Sequence, residues 1–382
     1  MDFSLTEEQE SIVATATAFA RDELAPGYRD RDAKGMLDRS LVRRMGELGL
    51  IGAELPEQFG GIGLDFVTAG LIMEAIARGD FNVAYVQLLG SLNAHILVNN
   101  MDPAIAAEWV PGICRGEHLI ALALTEPDHG SDAAAIELLA RPEGSHYVLT
   151  GEKTSISLAD QADVAVVFAR TGSVADRAHG ISAFLVPMDA RGITTTRFDD
   201  AGEHAIGRGS VFFDAVKVPA RHLIAQEGKG FTQVMQGFDY SRALIGLQCL
   251  AVADESLRET WEYIQHRRAF GQPLAAFQGL TFPLAELETY VEAARQLCYK
   301  ALWLKSVGKP HTKEAAMCKW WAPQVAFDTV HRCLLAHGHA GYSRELPFEQ
   351  RLRDVLGLQI GDGTAEIMKR VIVRGHARPP KQ

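Results

Sequence analysis

The order in which hydrophobic periods change along this chain limits its fold more than any other feature. Up to about residue 118 apolar residues recur at helical spacing, beginning with Ile12, Val13, Ala16, Phe19, Ala20 and Leu24 behind a Thr6-x-x-Gln9 capping-box pattern. From 119 to 225 the pattern becomes short β-rich runs, at 146–150, 164–168, 181–186 and 210–213, divided by Gly and Asp turns. After Gly228-Lys229-Gly230 the helical period returns near 231–267, 279–306 and 312–337 with few breakers. Strands segregated between two helical blocks specify an α+β chain and exclude the alternating order of a Rossmann fold. The expected architecture is an N-terminal helical domain (1–118), a middle antiparallel β domain (119–225) and a C-terminal four-helix bundle (226–382).

Charge narrows the function classes. With 38 basic and 48 acidic residues, a net of −10, the chain is unsuited to non-specific binding of nucleic acid or an anionic membrane. An anionic ligand must be held by local basic residues and backbone amides. The five cysteines, Cys114, Cys249, Cys298, Cys318 and Cys333, are scattered and form no C-x-x-C pair, which fits a reduced, cytoplasmic setting. The start, Met1-Asp2-Phe3-Ser4, is acidic and lacks the cationic and apolar runs of an export leader; no later segment is expected to span a bilayer.

Four segments could carry chemistry. Leu122-Ala123-Leu124-Thr125-Glu126-Pro127-Asp128-His129-Gly130-Ser131-Asp132 is an apolar strand running into a turn rich in hydroxyls and amides; it suits a flat heteroaromatic ring, or is an ordinary surface Asx/Ser turn. Arg267-Arg268-Ala269-Phe270-Gly271-Gln272, with Gln278 after it, follows a long helix; the guanidinium forks suit a pyrophosphate, or complement the helix dipole. His337-Gly338-His339 pairs two imidazoles but brings no carboxylate or thiolate cluster for a metal, and no metal is expected. Gln359-Ile360-Gly361-Asp362-Gly363-Thr364-Ala365-Glu366 sets a carboxylate between glycines at a helix mouth, where Asp or Thr often serves only as a cap. A fifth segment, Glu57-Gln58-Phe59-Gly60-Gly61-Ile62-Gly63, neither follows a strand nor completes G-x-G-x-x-G and reads as a turn.

Taken in order, these segments resemble the acyl-CoA dehydrogenase family over essentially the full length. The landmarks are Leu55-Pro56-Glu57-x-Phe59-Gly60-Gly61, the Thr125-Glu126-Pro127 turn with Gly130-Ser131-Asp132, Val216-Lys217-Val218-Pro219, Arg267-Arg268-Ala269-Phe270-Gly271, and Arg353-Asp354 ahead of Gly361-Asp362-Gly363-Thr364. The resemblance implies FAD as cofactor, an acyl-CoA substrate, an electron-transfer flavoprotein as acceptor and a homotetramer. Residues implied at the flavin are Leu122, Leu124, Thr125, Ser131, Ser155, Ser157, Phe270, Gly338, His339, Thr364 and Glu366, with Arg267 and Gln278 reaching FAD bound mainly to a neighbouring subunit. Ser131, Tyr240, Arg242, Gly361, Gly363 and Arg374 are implied on the substrate side. Asp362 stands where the family carries its catalytic carboxylate.

The chain departs from the family at informative points. Asp replaces the usual Glu at 362, shortening the arm by about 1.5 Å; Gly361 replaces Tyr; Ser155 replaces Trp. Some members carry the base at the position of Ser241, and Ser cannot serve as one. The small residues imply a wider pocket, which a saturated ring such as cyclohexanecarboxyl-CoA would fill better than a thin chain. Short- or branched-chain dehydrogenation, a nitroalkane-oxidase-like activity and a non-catalytic flavin- or CoA-binding subunit remain as alternatives. Flavin bleaching by an acyl-CoA but not by a nitroalkane separates the first two, and absence of FAD marks the last.

Overall fold

The computed structural model describes residues 4–377; the first three residues, on which the reading against a leader rests, lie outside them. The N-terminal helices are α1 (Glu7–Phe19), α2 (Tyr28–Lys34), α3 (Arg39–Glu47), α4 (Phe66–Gly79), α5 (Phe81–Asn100) and α6 (Pro103–Cys114). The capping box forms as the sequence suggests: the Thr6 hydroxyl accepts from Gln9 N while the Gln9 side chain accepts from Thr6 N. Asp80 caps α5 through the amides of Asn82 and Val83. Helix α5 corrects one expectation, because it is long and apolar enough to cross a membrane. Its apolar window is 89% buried inside the fold, as befits a helix packed on every side.

The middle domain holds β1 (Ile120–Ala123), β2 (Leu139–Glu143), β3 (His146–Ser157), β4 (Val164–Arg170), β5 (Ile181–Pro187), β6 (Ile193–Thr195), β7 (Arg208–Pro219) and β8 (Leu223–Ile224). They form one sheet ordered β6-β7-β3-β2-β4-β5-β8, with β1 also on β4. The sheet is mixed rather than purely antiparallel. β1 runs parallel to β4, and β2 meets β4 in parallel at Leu139↔Arg170. The cause is connectivity: β4 arrives only after the β2–β3 hairpin has reversed the chain, so it lies alongside β1 in the same sense. Bulges interrupt the β3–β7 ladder after Leu149 and after Lys153.

The C-terminal part is α7 (Gly230–His266), a β9–β10 ribbon (Arg268–Ala269, Gln272–Pro273), α8 (Gln278–Ser306), α9 (Thr312–Ala336), and the shorter α10 (His339–Tyr342), α11 (Phe348–Gly357) and α12 (Ala365–Ala377). Helices α7, α8 and α9 pack on one another, α12 lies along α9, and α4 and α5 close the other side of α7. The glycine turn at 57–63 is packed on its own chain: a Cβ at Gly61 would stand 2.0 Å from the Leu55 carbonyl oxygen, leaving no cradle for a phosphate.

A buried polar knot joins the three parts. Asp354 of α11 accepts from the Tyr28 hydroxyl (2.6 Å), the Asn82 amide (3.0 Å) and the Glu203 backbone N–H (2.6 Å). Burial pushes the Asp354 carboxyl up to about 7. The knot fixes α11, and with it the start of the loop that carries Asp362.

Candidate functional site

The loop from 358 to 364 carries the acid. At its end the Thr364 hydroxyl accepts from Ile367 N at 3.4 Å, so the capping duty at α12 falls to Thr364 and Asp362 is released from it. Asp362 takes φ 53° and Gly363 φ 102°. The left-handed turn swings the acid toward α7, where the Ser241 hydroxyl donates to it at 3.3 Å. From α9, Lys319 reaches under the loop and donates to the carbonyls of Leu358 (2.7 Å) and Gly363 (3.2 Å), pinning both flanks. Arg242 is buried beside them and donates to Asp239 at 3.1 Å; its Nε has no partner among the described residues.

Electrostatics follow from this packing. Burial raises the Asp362 carboxyl above its usual range, while Lys319, Arg242, the Ser241 hydroxyl and Arg208 oppose the rise. Burial likewise lowers the Lys319 ammonium to about 8, with Asp362 opposing. The result is a carboxylate strengthened as a base by lost water and kept ionisable by cations. Its backbone N–H makes no hydrogen bond within the described residues and is free to donate to a ligand.

The β domain carries a second group of the expected residues. Leu122 and Leu124 lie on and just after β1, and half-buried Thr125 accepts from Thr154 N at 2.9 Å. The turn is held by buried Glu126, which accepts from the amides of Glu137 and Leu138 and from Lys153 Nζ at 2.7 Å; Lys153 also donates to the Leu124 carbonyl. Burial brings the Lys153 ammonium down to about 8 even with Glu126 beside it. Ser131 is exposed beyond the turn. Ser155 sits at the bulge of β3, exposed, with φ 56°, and half-buried Ser157 is paired with Arg208 across β3 and β7. Arg208 lies beside Ser157, and its Nη2 donates to the Tyr85 hydroxyl of α5 at 3.3 Å.

Other expected residues lie on different surfaces. Arg267, Phe270 and Gln278 are exposed at the α7–α8 connection, and Phe270 is 96% exposed at φ 51°. The guanidinium of Arg267 and the amide of Gln278 have no partner among the described residues. Gly338 has φ 59° and open space where a Cβ would stand, and His339 is exposed. His337 is instead a packing residue, stacked on Tyr263 and against Phe348, and no metal-holding group of side chains occurs among the described residues. The Tyr240 hydroxyl donates to buried Glu54 at 2.8 Å. Glu366 is exposed and paired with Lys369, and Arg374 is exposed on α12. Sequence reasoning missed Lys319, Lys153 and Arg208. Lys319 had a signal, a lone charge in Ala315-Ala316-Met317-Cys318-Lys319; Arg208 had none, since only the fold pairs it with Ser157 and Tyr85.

Comparison with known proteins agrees along the whole chain. The N-terminal, middle and C-terminal domain models of acyl-CoA dehydrogenases match residues 6–117, 121–216 and 228–376. A probable acyl-CoA dehydrogenase of Bacillus subtilis is 34% identical over 98% of this chain and 99% of its own length. The mitochondrial short-chain specific acyl-CoA dehydrogenase of Rattus norvegicus is 35% identical over 97% and 90%. Among solved structures, the butyryl-CoA dehydrogenase of Megasphaera elsdenii superposes with a TM-score of 0.96 at 34% identity, covering 99% of this chain and 100% of that one.

Proposed function

This chain belongs to the acyl-CoA dehydrogenase family, and we propose that it removes hydrogen from the α and β carbons of a compact acyl-CoA thioester, with FAD as cofactor and Asp362 as base. The observation that carries the reading is the Asp362 loop: a carboxylate freed from capping, turned toward α7 by a left-handed backbone and pinned by Lys319.

The residues present fit FAD. The unpartnered, exposed guanidinium of Arg267 suits a diphosphate, Gly338 leaves its surface open to close approach, and Thr125 and Ser157 offer hydroxyls at the ends of neighbouring strands. When bound, FAD supplies the acceptor for the hydride that leaves the β carbon. The chain does the rest. Asp362 takes the α proton. Its own free N–H donates to the thioester oxygen as negative charge gathers there, a contact that strengthens toward the transition state. Lys319 and Arg242 oppose the rise that burial imposes on the carboxyl, and the bound flavin and thioester would have to be aligned against it.

The short Asp arm and the space at Gly361 favour a compact acyl group. A Cβ at Gly361 would meet nothing closer than 3.9 Å, so the position is not closed by its own chain and is compatible with a broad group such as cyclohexanecarboxyl; the names of short-chain relatives favour a small linear group instead. By the same family likeness the electron acceptor is an electron-transfer flavoprotein, and the chain works as a homotetramer in which Arg267 and Gln278 reach a neighbour's FAD. The exposed Phe270 tip beside Arg267 supports that arrangement. The scattered, unpaired cysteines fit a cytoplasmic setting.

The test is anaerobic mixing of the FAD-loaded protein with linear, branched and alicyclic acyl-CoAs while following flavin absorbance. Bleaching by a compact acyl-CoA, abolished in Asp362→Asn with FAD and ligand binding retained, is the expected result. Bleaching that survives in Asp362→Asn would remove the assigned base.

A further inference from the structure

Resting on the reading of Asp362 as base, we propose that Glu54 and Tyr240 are positioning residues that clamp the turn of α7 from which Asp362 receives its hydrogen bond. Tyr240 and Ser241 are neighbours on that helix, and successive helical residues point about 100° apart. Ser241 therefore faces the Asp362 loop while Tyr240 faces the N-terminal helices. Whatever holds the tyrosine also sets the rotation of the serine.

The hold comes from several sides. The Tyr240 hydroxyl donates to Glu54 Oε1 at 2.8 Å, and His95 Nε2 of α5 stands 3.3 Å from the same oxygen. Phe66, at the start of α4, meets the Tyr240 ring edge-on with centroids 5.1 Å apart, and the His95 ring lies 5.5 Å from it. The Lys305 ammonium of α8 sits 4.4 Å from the centre of the Phe66 ring and 5.2 Å from that of Tyr240. Next to it, the Ser306 hydroxyl accepts from Phe66 N at 3.1 Å. Tyr240 is 1% exposed and the Glu54 side chain is fully enclosed. The second Glu54 oxygen is buried with no partner among the described residues, so the grip of the carboxylate falls on the tyrosine side. An apolar side chain in that space would leave the fold no less stable; what the carboxylate adds is orientation.

Small rotations count at the far end. The Ser241 hydroxyl is 3.3 Å from Asp362, already long for such a bond. An oxygen roughly 4 Å from the helix axis moves roughly 0.35 Å for a turn of about 5°, enough to lose it.

Flavin reduction is followed by stopped flow on the FAD-loaded protein, with butyryl-CoA or cyclohexanecarboxyl-CoA, whichever reduces the parent faster. Affinity is read by calorimetry with free CoA, which cannot react. Ser241→Ala should slow reduction on the order of tenfold, as expected for one hydrogen bond to a charged group. Tyr240→Phe should slow it about fivefold while CoA affinity and FAD content stay within about twofold. Made on top of Ser241→Ala, Tyr240→Phe should slow reduction no further, because the bond it aligns is already gone. Glu54→Gln keeps an acceptor for the hydroxyl and should stay within about twofold of the parent. Tyr240→Phe at the parental rate, losses that multiply in the double variant, or Glu54→Gln as slow as Tyr240→Phe overturns the clamp and leaves the dehydrogenase reading intact. If Tyr240→Phe does not fold, the pair Glu54→Leu with Tyr240→Phe, which removes carboxylate and hydroxyl together, takes its place in the cycle. Reduction of the parent by no acyl-CoA, or reduction that survives Asp362→Asn, overturns the reading of the base and the clamp with it.

Discussion

Replacing Lys319 by Met tests how the proposed base, Asp362, is held, because stability and the proposed chemistry pull in different directions there. The ammonium is 1% exposed and donates at 2.7 Å and 3.2 Å to the carbonyls on either side of Asp362. Hydrogen bonds from a charged donor contribute roughly 1.5–3 kcal/mol each, so about 4 kcal/mol is lost with them. Against this, burial has moved the ammonium from 10.5 to about 8, a cost of roughly 3 kcal/mol that Met does not incur. Folding stability near neutral pH should therefore change by only about 1 kcal/mol, readable in urea titrations. Because the native ammonium binds fewer protons than the unfolded one between pH 8 and 10.5, wild-type stability rises across that window; the slope should shrink in the variant, with Lys153 still contributing the same sign. Activity should suffer far more. The loop loses both anchors, and the carboxyl loses a cation that opposes its upward shift, so the acidic limb of kcat/KM moves to higher pH. A fall in kcat of about 10²-fold with KM changed less than about threefold is expected from stopped-flow flavin reduction between pH 5 and 9. A variant with normal kcat and an unmoved limb would refute the anchoring argument.

Two further predictions concern buried charge. Glu126→Gln leaves the Lys153 ammonium buried without its carboxylate and should cost roughly 3–5 kcal/mol, seen as a lower Tm and loss of flavin from the protein; an unchanged Tm contradicts it. The Asp354 carboxyl, raised to about 7 by burial, binds a proton in the native state that the unfolded chain has released by then. Stability should fall as pH rises from about 4 to about 7, and Asp354→Asn should flatten that fall in urea titrations at pH 5 and 8; an equal fall in the variant rules the assignment out.

Much of the fold was legible because it is local. The three long helices at 230–266, 278–306 and 312–336 match their apolar periods within a residue or two, and each of the four β runs became the core of a longer strand. The parallel pairing of β1 with β4 was not legible, since it depends on where a chain returns after a hairpin. The membrane-length helix α5 escaped notice for a related reason: its Asn and Gln residues dilute the apolar run, although tertiary packing buries it all round. In the site, Asp362 stood out by its neighbours in sequence. Lys319, Glu126 with Lys153, and Arg208 act across 27 to 44 positions or more, and such partners are chosen by topology.

The left-handed backbone at Asp362 has an evolutionary consequence. An aspartate there costs of order 1–3 kcal/mol that a glycine would not, so the proposed site of chemistry is also a place where the chain could become sturdier by giving the acid up. Selection for heat tolerance alone would be expected to erase the acid early, yielding a hardy relative that still cradles its ligands and does nothing to them.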